Sequence, residues 1–157
     1  MIEMAFAVIR VRGHRKINKD IEDTMCMLRL TRVNHCVIIP EDKVMRGMLQ
    51  KAKDFITWGE VSEETLVKMI QSRGRLMGDK PIDDAYVGAN SQFGSVEEFA
   101  KSVVKDETKY SALKDVKPLF RLHPPAKGYE AVKKDLKTHG SLGYRGDKIN
   151  ALIEKML

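Results

Sequence analysis

Over roughly the first sixty residues the hydrophobic period switches from two to about 3.6 and back, twice, and this pattern constrains the fold more than any other feature of the chain. The run AFAVIRVR (5–12) alternates, with Ala5, Ala7, Ile9 and Val11 on one face and Phe6, Val8, Arg10 and Arg12 on the other, as a strand with one mixed face does. NKDIEDTMCMLRL follows, with Ile21, Thr24, Met25 and Leu28 at helical spacing, Asn18 placed to cap it, and Asp20, Glu22 and Asp23 in the positive first turn. VNHCVIIP is a β-branched strand stopped by Pro40. EDKVMRGMLQKAK is a helix predicted to bury Val44, Met45, Met48, Leu49 and Ala52, and DFITW is a third strand. Residues 1–61 therefore form a compact β-α-β-α-β unit of the α+β class.

Residues 62–157 are predicted to be a folded extension packed on that unit, because a chain of 157 residues suits one core with an appendage better than two separate domains. Ser62 caps a helix, Val61 and Leu66 have hydrophobic-staple spacing, and Gly74 marks a stop. Ser95 and Glu98 stand at capping-box spacing, and a last helix from Asp147 buries Ile149, Leu152, Ile153 and Met156. Between these elements, FRLHPPAKGYEAVKKDLKTHGSLGYRG (120–146) reads as a basic loop, expected to be partly mobile without a ligand. The extension is thus mostly helix and loop.

Several kinds of chemistry lack their parts. Cys26 and Cys36 are far apart in sequence, without a second close pair, and are expected to be structural and reduced; His35 and Cys36, adjacent on a strand, point to opposite faces. His14, His123 and His139 sit beside cations, not beside a spaced carboxylate and nucleophile, so a triad has no components and a solvated or phosphate-facing role suits them better. The paired acids Glu63/Glu64, Asp83/Asp84 and Glu97/Glu98 fall where helices begin, which the macrodipole explains. No P-loop or dinucleotide fingerprint occurs, and no run has the ~20 apolar residues of a membrane helix. A soluble, intracellular protein without metal or cofactor is expected.

Charge points to a polyanion. The 28 Lys and Arg exceed the 22 Asp and Glu, for a net +6, and the excess is uneven: +3 over 1–61, −1 over 62–119 and +4 over 120–146. In RGHRKINK, Gly13 permits a tight turn while Arg12, His14, Arg15, Lys16 and Lys19 crowd a loop leading into a helix N-terminus, a setting that suits phosphates. Lys43, Arg46, Gln50 and Lys53 make one polar stripe on the second helix, which a merely solvated face would explain equally well. Gly47 within that helix costs ~1 kcal/mol relative to Ala and is easier to understand where another backbone or a nucleic acid approaches. Arg10 shares the mixed strand face with Arg12, part of which is predicted to be open to a ligand. In 120–146, Arg121, Lys127, Lys133, Lys134, Lys137 and Arg145 supply cations, and Tyr129, Tyr144, His123 and His139 supply stacking surfaces. Such mixed equipment suits folded RNA.

The same residues carry a family resemblance. HCVIIPEDKVMRGML, with its Arg46-Gly47-Met48, is similar to the large-subunit ribosomal protein family called L-thirty in bacteria and L-seven in eukaryotes. RLHPP followed by AKGY, and GSLGYRGDKINALIEKML at the end, resemble the carboxyl-terminal extension of archaeal and eukaryotic members, so the likeness spans essentially the whole chain and looks archaeal in type. The resemblance implies a ferredoxin-like, three-stranded sheet of order 3-1-2 with helices on one face. It also implies a structural role in the large ribosomal subunit, clamping 23S-type ribosomal RNA during assembly and translation through the Arg12 to Lys19 loop, Arg46, and the Arg121 to Lys127 loop. Further candidate partners are 5S ribosomal RNA and neighbouring ribosomal proteins. Cytoplasmic residence is expected, without catalysis, membrane, small-molecule substrate or obligate homo-oligomer. The competing readings are a small-molecule-sensing regulatory domain of ferredoxin-like type, which would show an apolar pocket and self-association, and an RNA-processing enzyme.

Overall fold

The computed structural model describes residues 5–13, 15–105, 107–129, 131–135 and 140–157. The amino-terminal elements come in the expected order: β1 (Phe6–Arg10), α1 (Lys19–Met27), β2 (His35–Ile39), α2 (Lys43–Lys51) and β3 (Ile56–Glu60). Asn18 caps α1 by accepting from Asp20 N, and Asp42 caps α2 by accepting from Met45 N at 2.7 Å. The third strand starts two residues later than DFITW suggests, because Phe55 N donates to Ala52 O at 2.9 Å and the chain is still turning there.

β1 lies between β2 and β3, antiparallel to both, so the central order is the 3-1-2 expected. The register pairs Phe6 with Ile39 and Glu60, and Arg10 with Ile56. Residues Phe6, Val8, Val37, Ile39, Ile56 and Trp58 share one face and pack with Met25, Leu28, Leu49 and Ala52 beneath α1 and α2. Ala5, Ala7, Ile9 and Cys36 occupy the opposite face, which the extension covers. All five residues of β1 are consequently buried, and no part of the mixed face is open to a ligand, as the sequence suggested it would be.

The extension adds α3 (Glu63–Arg73), α4 (Asp84–Asn90), α5 (Val96–Val104), β4 (Phe120–Arg121), β5 (Ala131–Asp135), β6 (Gly140–Tyr144) and α6 (Ile149–Met156). Ser62 and Ser95 cap α3 and α5 as expected, and Asp83 caps α4; losing such a cap costs ~1 kcal/mol. Val61 and Leu66 are buried together, and Ile149, Leu152, Ile153 and Met156 of α6 join the same core.

Three expectations are corrected. The sheet has six strands in the order β4-β2-β1-β3-β6-β5, not three, because 120–146 contributes strands where a basic loop was expected. Those strands have few β-branched residues and take their order from backbone pairing with β2 and β3, whose register is already set by the core. Val44 is 71% exposed, since the first turn of α2 overhangs the sheet, and Cys26 is exposed on α1 while only Cys36 is buried. Gly59 shows how closely the extension docks: a Cβ there would overlap the Gly146 carbonyl. No helix among the described residues is long and apolar enough to cross a membrane.

Candidate nucleic-acid interface

The sheet register brings separate basic segments to one end. β1 ends at Arg10, opposite the start of β3 at Ile56; Asn34 N, just before β2, donates to Arg10 O at 2.8 Å; and His35 at the start of β2 pairs with Arg121 of β4. The loop after β1, the turn before β2, the turn before β3 and the segment after β4 therefore share an edge. It carries Arg12, Arg15, Lys16, Arg32, Lys53, Arg121, His123 and Lys127, all exposed except half-buried Arg12. Arg12 lies with its guanidinium carbon 4.8 Å from the Phe55 ring centroid and donates through Nη1 to Asp54 O at 3.3 Å, which stiffens the root of the first loop. Lys16 adopts φ 54° in that loop and Lys127 φ 66° in the turn that Gly128 closes onto Pro125 O. Lys19 stands exposed at the start of α1.

The stripe on α2 is exposed as a unit: Lys43, Arg46, Gly47 and Gln50 lie on the helix, with Lys53 just past its end, so it runs from the far end of the sheet back to the basic edge. Arg46 is ion-paired with Glu41. Beyond α2 the sheet continues into β6, leaving an open groove of about 440 Å³ lined by Arg46, Gly47, Gln50, Trp58, Glu60 and Tyr144. Tyr144 is 52% exposed, its ring centroid 6.3 Å from Trp58 and 6.4 Å from Phe6. The groove thus joins an aromatic wall to an arginine and an amide, a combination able to accept an unstacked base beside a phosphate.

Two of the residues expected at the interface belong to the fold instead. Arg10 is fully buried: Nη1 donates to Leu30 O at 2.7 Å and Nε to Arg12 O at 2.9 Å, so it clips the end of β1 to the following loop. Burial lowers its pKa, with Glu22 and then Cys26 acting in the opposite direction. Arg145 donates through Nε to Thr57 Oγ1 at 2.8 Å and through Nη2 to Ser141 O at 3.0 Å, a clamp between β3 and β6. Tyr129 likewise is half-buried and donates its hydroxyl to Asn34 Oδ1. Lys134 is exposed on β5, whereas His14, Lys137, His139 and the side chain of Lys133 lie outside the described residues.

Arg32 was not singled out from the sequence. Its signal is positional, since it precedes VNHCVII in a turn flanked by left-handed Arg29 (φ 65°) and Asn34 (φ 68°). Its charge reaches His35, whose pKa is lowered by burial first, then by Arg121, Arg32 and Arg10. His35 and Cys36 do face opposite sides of the sheet, and burial pushes the Cys36 thiol far up.

Known proteins resemble this chain throughout. The sequence profile described as Ribosomal protein L30p/L7e matches residues 6–56, the β-α-β-α-β unit. The "Large ribosomal subunit protein uL30" of Methanosphaera stadtmanae is 53% identical over 154 residues, covering 97% of this chain and 99% of that protein. Those of Methanococcus maripaludis and Thermoplasma volcanium are 50% and 46% identical, covering 98% and 96% of this chain and 100% and 92% of theirs. With near-complete coverage on both sides, the chain belongs to the L30p/L7e family of ribosomal proteins, in its archaeal form.

Proposed function

We propose that the protein is a structural constituent of the large ribosomal subunit that holds 23S-type ribosomal RNA against the basic end of its sheet and the outer flank of α2. The reading rests on one observation above the rest: cations from four separate stretches of chain converge on a single edge, and the α2 stripe runs into it. Each stretch can neutralise a different RNA segment while the sheet fixes their separation, which is what a clamp requires. The names borne by its relatives agree with this role in the large subunit, which places the protein in the cytoplasm. Neighbouring ribosomal proteins and 5S RNA are further candidate partners. No catalytic step is assigned.

The test pairs two measurements. Tagged protein in a cell lysate should co-sediment with large subunits on a sucrose gradient, and purified protein should bind a large-subunit ribosomal RNA transcript with an affinity that falls steeply with salt. Arg46→Ala should weaken that binding and change stability by no more than ~1 kcal/mol, the scale of an exposed ion pair. Sedimentation only in the soluble fraction, with salt-insensitive RNA binding, would sink the reading.

A further inference from the structure

A second cationic pocket lies at the β4 edge, built from residues that segment-by-segment charge hides. Residues 62–119 carry a net −1, yet Arg73 at the end of α3, Arg75 just after it and Lys117 come together with Arg121 around a depression of about 190 Å³. Backbone pairing makes the convergence. Arg75 bridges Pro81, Leu76 bridges Val116, and Lys117 N donates to Arg75 O at 2.9 Å, so two strands of chain far apart in sequence run side by side. β4 then carries Arg121 into the same wall through its pairing with His35.

The pocket's lining holds one acid, Asp79, ion-paired with Lys117. Asp79 sits at φ 60° in the turn after Gly78, so the backbone holds this carboxylate at the rim. Four cations facing one carboxylate repel one another, and a bound anion relieves that repulsion. Two observations select the anion. Three of the four cations are arginines, whose planar guanidinium matches phosphate oxygens two at a time. Arg121 also belongs to the basic end of the sheet already assigned to RNA, so the pocket continues that surface around the edge and is too small for a second folded partner.

We propose that Arg73, Arg75, Lys117 and Arg121 bind backbone phosphate of the RNA strand leaving the basic edge, with Asp79 acting as a resident counter-charge that the phosphate displaces from Lys117. This rests on the RNA reading above and extends it to a face that the sequence does not mark. The role of Asp79 follows from its ion pair: in the free protein it neutralises Lys117, and in the complex it competes with phosphate for that ammonium.

The experiment measures binding of the full chain to a large-subunit ribosomal RNA transcript across a salt series. Arg73→Ala/Arg75→Ala/Lys117→Ala should lower affinity about tenfold or more near physiological salt and reduce the log-log salt slope by one to two units, at about 0.7 to 0.9 per lost phosphate contact. Asp79→Asn should move affinity the other way, tightening it severalfold. Arg46→Ala in the same series reports on the RNA reading by itself. If Arg46→Ala weakens binding while the triple variant keeps wild-type slope, or if Asp79→Asn does not tighten it, the pocket is a solvated surface. If wild-type binding shows no salt dependence, the RNA reading falls and this site with it. Circular dichroism of each variant verifies the fold, and Asp79→Asn, which removes only a rim charge, keeps the proposal refutable should the triple variant unfold.

Discussion

Tyr144 on β6 donates its hydroxyl hydrogen to Glu60 Oε1 at the end of β3, tying the last strand of the extension to the third strand of the amino-terminal unit. That bond first, and burial second, push the phenol up to about 12 from its ordinary 10.0. An acid whose folded pKa is raised favours the native state while it stays protonated. The contribution is therefore whole below pH 10 and is lost as pH rises through about 12. Glu60→Gln should bring the Tyr144 titration back down towards 10, read as phenolate absorbance against a Tyr144→Phe control. Tyr144→Phe keeps the contacts to Phe6 and Trp58, and should cost ~1 kcal/mol for the hydrogen bond alone.

Gly47 should report on the groove through two effects of opposite sign. A Cβ at this position would meet nothing within 4 Å, so the protein's own packing does not require glycine there. Gly47→Ala should therefore stabilise the fold by about 0.5–1 kcal/mol, the usual gain in a helix interior, and weaken ribosomal RNA binding severalfold by filling the space beside Tyr144. Thermal melting and an RNA titration read the two effects. Unchanged affinity alongside a raised melting temperature would show that nothing approaches the helix at Gly47.

The β-α-β-α-β unit was legible because its signals are local. Asn18, Ser62 and Ser95 cap the helices they were expected to cap, and the alternation in 5–12 is a strand. What was not legible depends on contacts distant in sequence. Arg10 sits at an alternating position that looks like a surface arginine, and only the Leu30 carbonyl, brought back by α1, makes it a buried clip. The glycine- and proline-rich 120–146 stretch reads as a loop by composition, yet β4 and β6 form because β2 and β3 offer edges. Arg73, Arg75 and Lys117 escaped notice for the same reason, since charge summed along the chain cannot register cations that meet across bridges. For the interface as a whole, the cationic loops were visible in sequence, whereas their common edge is a property of register.

His35 should couple stability to pH and RNA to protonation. Its Nδ1 is buried with no hydrogen-bond partner among the described residues, and burial followed by Arg121, Arg32 and Arg10 holds its pKa below the ordinary 6.5. The unfolded chain therefore takes up a proton at a pH where the native imidazole does not. The His35 contribution is whole above pH 6.5 and is lost as pH falls through the lower folded value. Melting temperatures should decline below pH 6.5 less steeply in His35→Gln than in the native protein. Phosphates arriving beside Arg32 and Arg121 offset those charges, so the imidazole pKa followed by NMR should rise on RNA binding. A value that RNA leaves unmoved would place the RNA away from this end of the sheet.

Arg145 offers the sharpest separation between fold and interface, because by sequence it belongs to the RNA-facing set and in the structure it is half-buried between two strands. Its guanidinium bonds to Thr57 and Ser141, its backbone N–H donates to Trp58 O at 2.7 Å, and Thr57 Oγ1 donates onward to Gly143 O at 2.8 Å. Arg145→Ala removes the two guanidinium bonds and leaves the backbone bond in place. Charge-assisted hydrogen bonds contribute about 1.5–3 kcal/mol each when their partners are left unpaired, and the half-exposed site pulls the total towards the lower figure. The variant should lose about 1.5 kcal/mol in denaturant unfolding and show faster amide exchange along β6, with exchange in β1 and β2 unchanged. Its salt slope for ribosomal RNA should match the native protein's, since no phosphate contact is removed. A flattened slope with undiminished stability would return Arg145 to the interface and make the β3–β6 clamp incidental to the fold.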